Sequence, residues 1–144
     1  MRPSTLAEAV ARIAEGEPAD VALAEFVDTF LLEPDNAARY AAIAEEPRRS
    51  GDPKLNALVG AVGEYLAKLY RLPRVPPWTS RPWRRLDEPW FTTSWESPSM
   101  REYLSFASPA EFRSRNIFTE ERPLRRARSH LPFMAKAAAS ATAS

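Results

Sequence analysis

One segment of this chain combines cationic, amide and aromatic side chains at close spacing. It is SPAEFRSRNIF, which runs from Ser108 to Phe118. Arg113 and Arg115 stand on alternate residues, and Asn116 follows directly. Guanidinium groups bind carboxylates and phosphates through two parallel hydrogen bonds and stack on aromatic rings. The segment therefore predicts a contact surface, with Arg113, Arg115 and Asn116 exposed on it.

The same segment contains local signals for a helix start. Ser108 followed by Glu111 has the spacing of a capping box, in which each side chain accepts a hydrogen bond from the other residue's backbone. The proline after the serine suits a first helical turn because it has no N–H to leave unpaired. This interpretation predicts a helix to about Asn116, with Phe112 and Phe118 packed into a core.

Few side chains of this chain are suited to catalysis. The chain has no cysteine and one histidine, His130, so thiol chemistry, disulfides and sites with several histidines are excluded. Its four glycines do not fit a phosphate-binding loop. Acidic residues occur in adjacent pairs such as Asp87-Glu88, and neighbours on a helix point roughly 100° apart, which favours solvated charges over a catalytic pair. We therefore expect no enzymatic activity, no metal and no cofactor.

Charge is unevenly distributed along the chain. Residues 1–52 carry 11 acidic and 5 basic side chains, whereas residues 53–144 carry 15 basic and 8 acidic ones. The basic part contains two arginine clusters, one beside Trp83 and one near the end of the chain. These clusters fit solvated helix faces that pair with the acidic part, and they equally fit a surface for an acidic protein or a nucleic acid. The net charge of +1 makes nucleic acid the weaker binding alternative.

Apolar periodicity and capping signals predict an all-helical fold. Strand-type alternation is nearly absent, and 14 prolines punctuate the chain. The clearest helix begins at Asp52-Pro53, where a capping carboxylate precedes proline, and continues to Tyr70 with apolar residues at spacings of three and four. Within it, Gly60 and Gly63 indicate that a neighbouring helix approaches closely. Shorter helices are predicted at 6–15, from Pro18 to a stop at Pro34, at 36–45 and at 98–107. In the last of these we expect Met100, Tyr103, Leu104 and Ala107 to face inward.

The segment 72–97 differs in composition from the rest of the chain. Its five prolines forbid a long regular element. It holds all four tryptophans of the chain, which are Trp78, Trp83, Trp90 and Trp95. Because each indole has a large apolar area to bury, we expect this segment to wrap over the helices in an ordered, irregular form. A short turn is predicted at Trp83–Asp87.

These elements fit one domain. We expect a single compact domain of about five to seven helices over residues 1–130, followed by a disordered, low-complexity tail at 131–144. Its parts are an acidic helical part (1–50), a central helix (53–71), the Pro/Trp-rich wrap (72–97) and a basic helical part (98–128). No stretch approaches the roughly 18 apolar residues that a membrane span needs, and we see no signal-peptide pattern. We expect a cytoplasmic protein, consistent with the lack of cysteine.

Several spaced motifs of the chain resemble those of a family of small bacterial proteins. A helix ending in Tyr-x-Leu-Pro is followed by Pro-x-Trp, by Pro-Trp-Phe, by Ser-Pro-x-x-Phe-Arg-x-Arg-Asn-x-Phe and by Leu-x-Arg-Ala. The matching stretches are 55–79, 88–91, 108–118 and 123–128. Members of this family are encoded beside nucleotidyltransferase-type toxins, and the resemblance implies the antitoxin partner of such a pair. After Phe118 this chain departs from the family pattern, because TEERP is more charged than the small polar stretch of the relatives.

The resemblance implies a noncatalytic module that neutralises a nucleotidyltransferase-like toxin by direct binding. Such an enzyme would hold its metal with clustered carboxylates, so we expect the mouth of its active site to be negative. The complementary basic face would comprise Arg113, Arg115, Arg125 and Arg126, with Asn116 as a further contact residue. An apolar anchor beside it would comprise Trp83, Trp90 and Phe91. The alternative is a nucleic-acid-binding transcriptional regulator that uses the basic C-terminal half.

Overall fold

The structure is a computed structural model, and it describes residues 2–92, 97–120 and 123–124. Within these ranges the helices are α1 (Leu6–Ala14), α2 (Ala19–Leu31), α3 (Asn36–Ala44), α4 (Pro53–Leu69), α5 (Pro98–Ala107) and α6 (Ala110–Arg113). Two 3-10 helices (Pro77–Ser80 and Pro82–Arg84) and two strands, β1 (Trp90–Phe91) and β2 (Ile117–Phe118), complete the described elements. The predicted all-helical class is confirmed, with a number of helices inside the predicted range. The predicted tail, Arg125, Arg126 and Trp95 lie outside the described residues.

Four of the described helices begin at a residue whose side chain caps the first turn. The Thr5 hydroxyl accepts a hydrogen bond of 3.0 Å from a backbone N–H in the first turn of α1. The carboxylate of Asp52 does the same for α4, and proline occupies the first helical position there. Asp35 and Ser97 cap α3 and α5 in the same way. Each cap satisfies a backbone donor that has no acceptor within its own helix.

The predicted cap at Ser108 is wrong. Helix α6 covers only Ala110–Arg113, has no side-chain cap, and ends before Asn116. Ser108 is buried, and its hydroxyl oxygen accepts a hydrogen bond of 2.8 Å from the backbone N–H of Thr119. The same hydroxyl lies within hydrogen-bond distance of the carbonyl oxygen of Leu104. Ser108 therefore ties the end of α5 to the residue after β2.

Helix α4 is the central element, as predicted. Most of its residues are buried, because both 3-10 helices and α6 pack against it. The ring of Tyr70, just after α4, lies 5.4 Å from that of Phe30, which is fully buried in α2. Five residues before Tyr70, Tyr65 of α4 packs edge-to-face on Phe112. Within the described ranges, no helix is both long enough and apolar enough to span a membrane.

The described part of the wrap, residues 72–92, packs along α4. Trp78 is buried, and its indole N–H donates a hydrogen bond of 2.9 Å to the carbonyl of Ile43 in α3. Arg81 forms an ion pair of 2.9 Å with Glu46, which follows α3. The second 3-10 helix, Pro82–Arg84, overlaps the predicted turn only at Trp83 and Arg84. The wrap thus connects the end of α3 to α4 through side chains.

Gly60 and Gly63 do permit a close approach to α4, but the neighbour is not a long helix. A Cβ atom at Gly60 would lie 2.9 Å from the Cβ atom of Arg84. A Cβ atom at Gly63 would lie 2.8 Å from the ring of Trp78. Because real Cβ contacts are longer than this, glycine is what allows the two 3-10 helices to sit against α4.

The two strands pair in parallel and join the wrap to the SPAEFRSRNIF segment. Trp90 pairs with Ile117, and Phe91 pairs with Phe118. The backbone N–H of Trp90 donates a hydrogen bond of 2.8 Å to the carbonyl of Asn116. Residues far apart in the sequence are therefore neighbours at this edge of the molecule.

Candidate protein-binding surface

The structure places the wrap beside the SPAEFRSRNIF segment, and these two segments contain the predicted site residues that it describes. Three backbone hydrogen bonds hold the wrap along the SPAEFRSRNIF segment. They run from Leu86 to the carbonyl of Arg115 (3.2 Å), from Trp90 to the carbonyl of Asn116 (2.8 Å) and from Thr92 to the carbonyl of Phe118 (3.1 Å). Arg85 adds a side-chain bond of 3.0 Å from its guanidinium to the carbonyl of Ser114. The described members of the predicted site are Trp83, Trp90, Phe91, Arg113, Arg115 and Asn116. Their surroundings differ, and these differences decide which of them a partner can reach.

Arg115 does not face solvent, so its predicted place on an exposed basic face is wrong. The residue is 5% exposed. Its Nη1 atom donates hydrogen bonds to the carboxylate of Glu64 (2.6 Å) and to the carbonyl of Glu111 (2.7 Å). Its Nη2 atom donates one of 2.7 Å to the carbonyl of Thr79. These acceptors replace water around the guanidinium, which is what makes its burial possible.

Glu64 is shared between two cations. The Nζ atom of Lys68 lies 2.8 Å from Oε2 of Glu64. The Nη1 atom of Arg115 lies 2.6 Å from the other carboxylate oxygen, Oε1. Burial raises the pKa of the Glu64 carboxyl, but the hydrogen bonds and charges of Lys68 and Arg115 outweigh burial and hold this pKa below its ordinary value of 4.5. The hydrogen bond to Glu64 raises the pKa of Lys68. The cluster fixes the turn after α6 to α4, and it neutralises Arg115 internally.

Arg84, a member of the predicted arginine cluster beside Trp83, is fully buried. Its Nη2 atom donates a hydrogen bond of 2.7 Å to the carbonyl of Pro47, and its guanidinium lies 5.1 Å from the ring of Trp78. Burial lowers the pKa of Arg84. Its Nε atom has no hydrogen-bond partner within the described part of the chain. Arg84 is therefore a core residue that joins the loop before α4 to the wrap.

Asn116 stabilises the local backbone conformation, whereas Arg113 is exposed at the surface. Asn116 has a φ of 65°, in the left-handed region that asparagine tolerates better than most residues. It is half-buried, and its side-chain amide donates a hydrogen bond of 2.7 Å to the carbonyl of Leu86. It is thus less available to a partner than predicted. Arg113 is exposed, as predicted, and its guanidinium lies 3.5 Å from the carbonyl of Ser105.

The half-buried tryptophans of the wrap lie beneath cations. Arg49 and Arg81 lie over the ring of Trp83, at 4.8 and 5.8 Å from its centroid. Lys54 lies over the ring of Trp90 at 5.2 Å. Because Arg49 and Lys54 flank the start of α4, both indoles belong to that end of the molecule. Cations held over aromatic faces in this way gain about 0.5–1 kcal/mol each at exposed positions.

Phe91 extends this surface toward α5. Its ring stacks on that of Phe118 with a centroid separation of 4.8 Å. The guanidinium of Arg101, in the first turn of α5, lies 4.9 Å from the Phe91 ring. Phe118 is only half-buried, so its predicted place in the core is wrong, whereas Phe112 is fully buried as predicted. Phe91 is half-buried as well.

No protein-family model, curated protein or solved structure matches this chain. The chemistry of its surface is therefore what indicates a function. In the described ranges, no group of three or more histidine, cysteine or acidic residues is placed to hold a metal ion.

We use the term wrap face for the surface formed by Trp83, Trp90, Phe91, Arg49, Lys54 and Arg85. Its three cations are exposed and form no ion pair with another described residue. Asp87 and Glu88 are exposed in the turn before β1, so the face is mixed in charge and not uniformly basic. Tryptophan and arginine on a partly exposed surface are the residues most enriched at the centres of protein interfaces.

A second aromatic surface was missed by the sequence analysis. Tyr103, which was expected to face inward, is 53% exposed, and Phe106 is 80% exposed. Only Leu104 is buried in α5, and this helix contacts the rest of the protein mainly at β2. Met100, Leu104 and Ala107 form an apolar stripe on α5, and Phe106 does not lie on it. This position is the sequence signal that could have predicted that Phe106 is exposed.

Proposed function

We propose that this chain is a noncatalytic, cytoplasmic protein-binding module whose partner is a nucleotidyltransferase-like toxin that it neutralises by direct binding. The observation that supports the binding role is the wrap face, on which half-buried indoles lie beneath cations with no ion-pair partner among the described residues. The motif resemblance supports the class of partner.

The wrap face has the chemistry to bind an acidic protein surface. Trp83 and Trp90 retain apolar area that a partner can cover. Covering them also removes water from Arg49, whose guanidinium fork matches the geometry of a carboxylate. A charge pair that becomes buried in this way typically contributes 2–5 kcal/mol when one partner is truncated, whereas a pair at the rim contributes less than about 1 kcal/mol.

The same chemistry fits the proposed mode of neutralisation. A nucleotidyltransferase needs metal ions, which it holds with clustered carboxylates in an open cleft. A face with arginine, lysine and tryptophan side chains would be attracted to this negative mouth and would cover it against nucleotide entry.

A second candidate function is nucleic-acid binding by a transcriptional regulator. It is favoured by the same arrangement, because bases stack on aromatic rings and arginine forks bind phosphates. The charge balance weighs against it, since Arg81 is paired with Glu46 and both Asp87 and Glu88 are exposed nearby. Nonspecific affinity for nucleic acid requires several cations without internal partners.

Affinity capture of the toxin tests the proposal. The tagged chain would be mixed with the purified product of the neighbouring gene, which the motif resemblance implies is a nucleotidyltransferase-type protein. Replacing Arg49 and Arg85 together by glutamate should weaken binding by at least about tenfold and abolish rescue of growth, because it reverses two exposed charges of the face. Arg71→Glu is the matched control, because Arg71 is exposed at the opposite end of α4.

Each outcome is decisive. Normal binding by the double variant, with unchanged circular dichroism, would show that the wrap face is not the interface. No binding by the parent chain would reject the toxin as partner. Retention of duplex DNA by the parent, with an affinity that falls steeply as salt rises, would favour the regulator instead.

A further inference from the structure

The outer face of α5 presents two aromatic side chains to solvent. Tyr103 and Phe106 are 53% and 80% exposed, and Phe106 is the most exposed large apolar residue among the described ones. Residues three apart on an α-helix lie on the same face, so the two rings are neighbours. Leu104, on the opposite side, is the residue through which this helix is buried. The aromatic pair therefore plays no part in holding α5 to the domain.

Two exposed charges of opposite sign flank this aromatic pair. Glu102 precedes Tyr103 and forms no ion pair with another described residue. Arg113 likewise has no described ion-pair partner, and its guanidinium lies 3.5 Å from the carbonyl of Ser105, near the end of α5. At about 3.6 residues per turn, Glu102 and Ser105 lie on one flank of the outer face and Tyr103 on the other. On this flank the first half carries Glu102, next to Arg101, whose guanidinium lies over the Phe91 ring, and the second half carries Arg113.

We propose that this face binds α5 of a second copy of the chain, antiparallel, about a two-fold axis. A two-fold axis across the helix pair sets the first half of one α5 against the second half of the other. Phe106 of each copy then packs on Tyr103 of the second copy, and Glu102 of each copy meets Arg113 of the second copy. Both contacts occur twice, so the face is complementary to itself in shape and in charge.

The size of the surface sets the strength of the association. One face of a ten-residue helix lies at the low end of the range for specific interfaces, below about 1,200 Å² in total. A dimer of this size is weak and reversible, with a dissociation constant in the micromolar range or above. The inference goes beyond the proposed toxin binding and does not depend on it.

Sedimentation velocity of the full chain over a range of concentrations tests the dimer. Phe106→Ser should leave the protein monomeric. Glu102→Arg and Arg113→Glu should each weaken the dimer by about tenfold or more, because like charges then meet at both ends. An equimolar mixture of these two single variants should dimerise like the parent, because every cross-pair in the mixed dimer has opposite charges again. All three residues are exposed, and circular dichroism verifies that each variant is folded.

Three results would overturn the inference. The first is a parent chain that stays monomeric up to about 1 mM, where an association of 4 kcal/mol would already be visible. The second is a dimer that Phe106→Ser does not weaken. The third is a mixture of the charge variants that stays monomeric. If Phe106→Ser instead weakens toxin capture by a monomeric parent, the face belongs to that partner and not to a second copy.

Discussion

The guanidinium of Arg115 donates a hydrogen bond of 2.6 Å to the carboxylate of Glu64, and this contact fixes the turn after α6 to the middle of α4. Arg113 is exposed only two residues earlier. The two residues have the same side chain and lie two positions apart in the sequence, but they differ in burial and in hydrogen-bond partners. Arg115 therefore belongs to the interior of the protein, and Arg113 to its surface.

Replacing Arg115 by alanine should lower the free energy of unfolding by about 3 kcal/mol, because it leaves the carbonyl of Thr79 without this donor and Glu64 with Lys68 as its remaining cation. The matched change Arg113→Ala should alter it by less than about 0.5 kcal/mol. Urea unfolding followed by circular dichroism measures both. Equal effects of the two substitutions would contradict the assignment of Arg115 to the interior.

The stabilising effect of Glu64 should depend on pH. Its pKa is held below 4.5 in the folded protein, so its contribution is present above the unfolded pKa and is lost as the pH falls through the folded pKa. The parent should thus be more stable than Glu64→Gln at neutral pH, and this difference should shrink once the pH falls below about 4.5. Unfolding of both proteins across this range gives the difference. A difference that is constant with pH would argue against the ion-pair cluster.

Gly60→Ala should destabilise the protein although alanine is the better helix former. The new methyl group would lie 2.9 Å from the Cβ atom of Arg84 and 3.0 Å from the Nε atom of Arg115, neither of which can move freely. Overpacking of this kind costs about 1–3 kcal/mol, more than the roughly 1 kcal/mol gained in helix propensity. Gly51→Ala is the control, because a Cβ atom there would meet nothing within 4 Å. Thermal unfolding of the two variants compares them.

Truncation of Phe112 should lower the stability of the protein far more than truncation of Phe106. Phe112 is fully buried against Tyr65, so Phe112→Ala should lower the free energy of unfolding by about 3–5 kcal/mol through the cavity that it leaves. Phe106 is 80% exposed, and Phe106→Ala should change stability by less than about 0.5 kcal/mol in a dilute, monomeric sample. Denaturant midpoints decide the question, and a large loss for Phe106→Ala would mean that α5 packs differently.

The amino-acid sequence by itself determined the helices of the first half and the start of α5. Asp52 caps α4 as its position before Pro53 predicts, and Thr5, Asp35 and Ser97 cap their helices through equally local bonds. These signals are reliable because a cap and its backbone donor are only two or three residues apart, so no distant part of the chain is needed to form the bond. The wrap was also predictable, since Trp78 could not remain in solvent without a large cost in apolar exposure.

Only the tertiary structure decided which residues of the basic half face the solvent. Arg115 is buried because Glu64, 51 residues earlier in the chain, lies within reach of its guanidinium. Ser108 binds the backbone of Thr119 instead of capping α6, and Tyr103 faces outward because β2 contacts only one side of α5. Each of these outcomes depends on a partner from a distant segment, whose position is fixed by packing and not by local hydrogen bonds. A charged or aromatic side chain in this half can be stable in either environment, so its residue type alone does not determine its place.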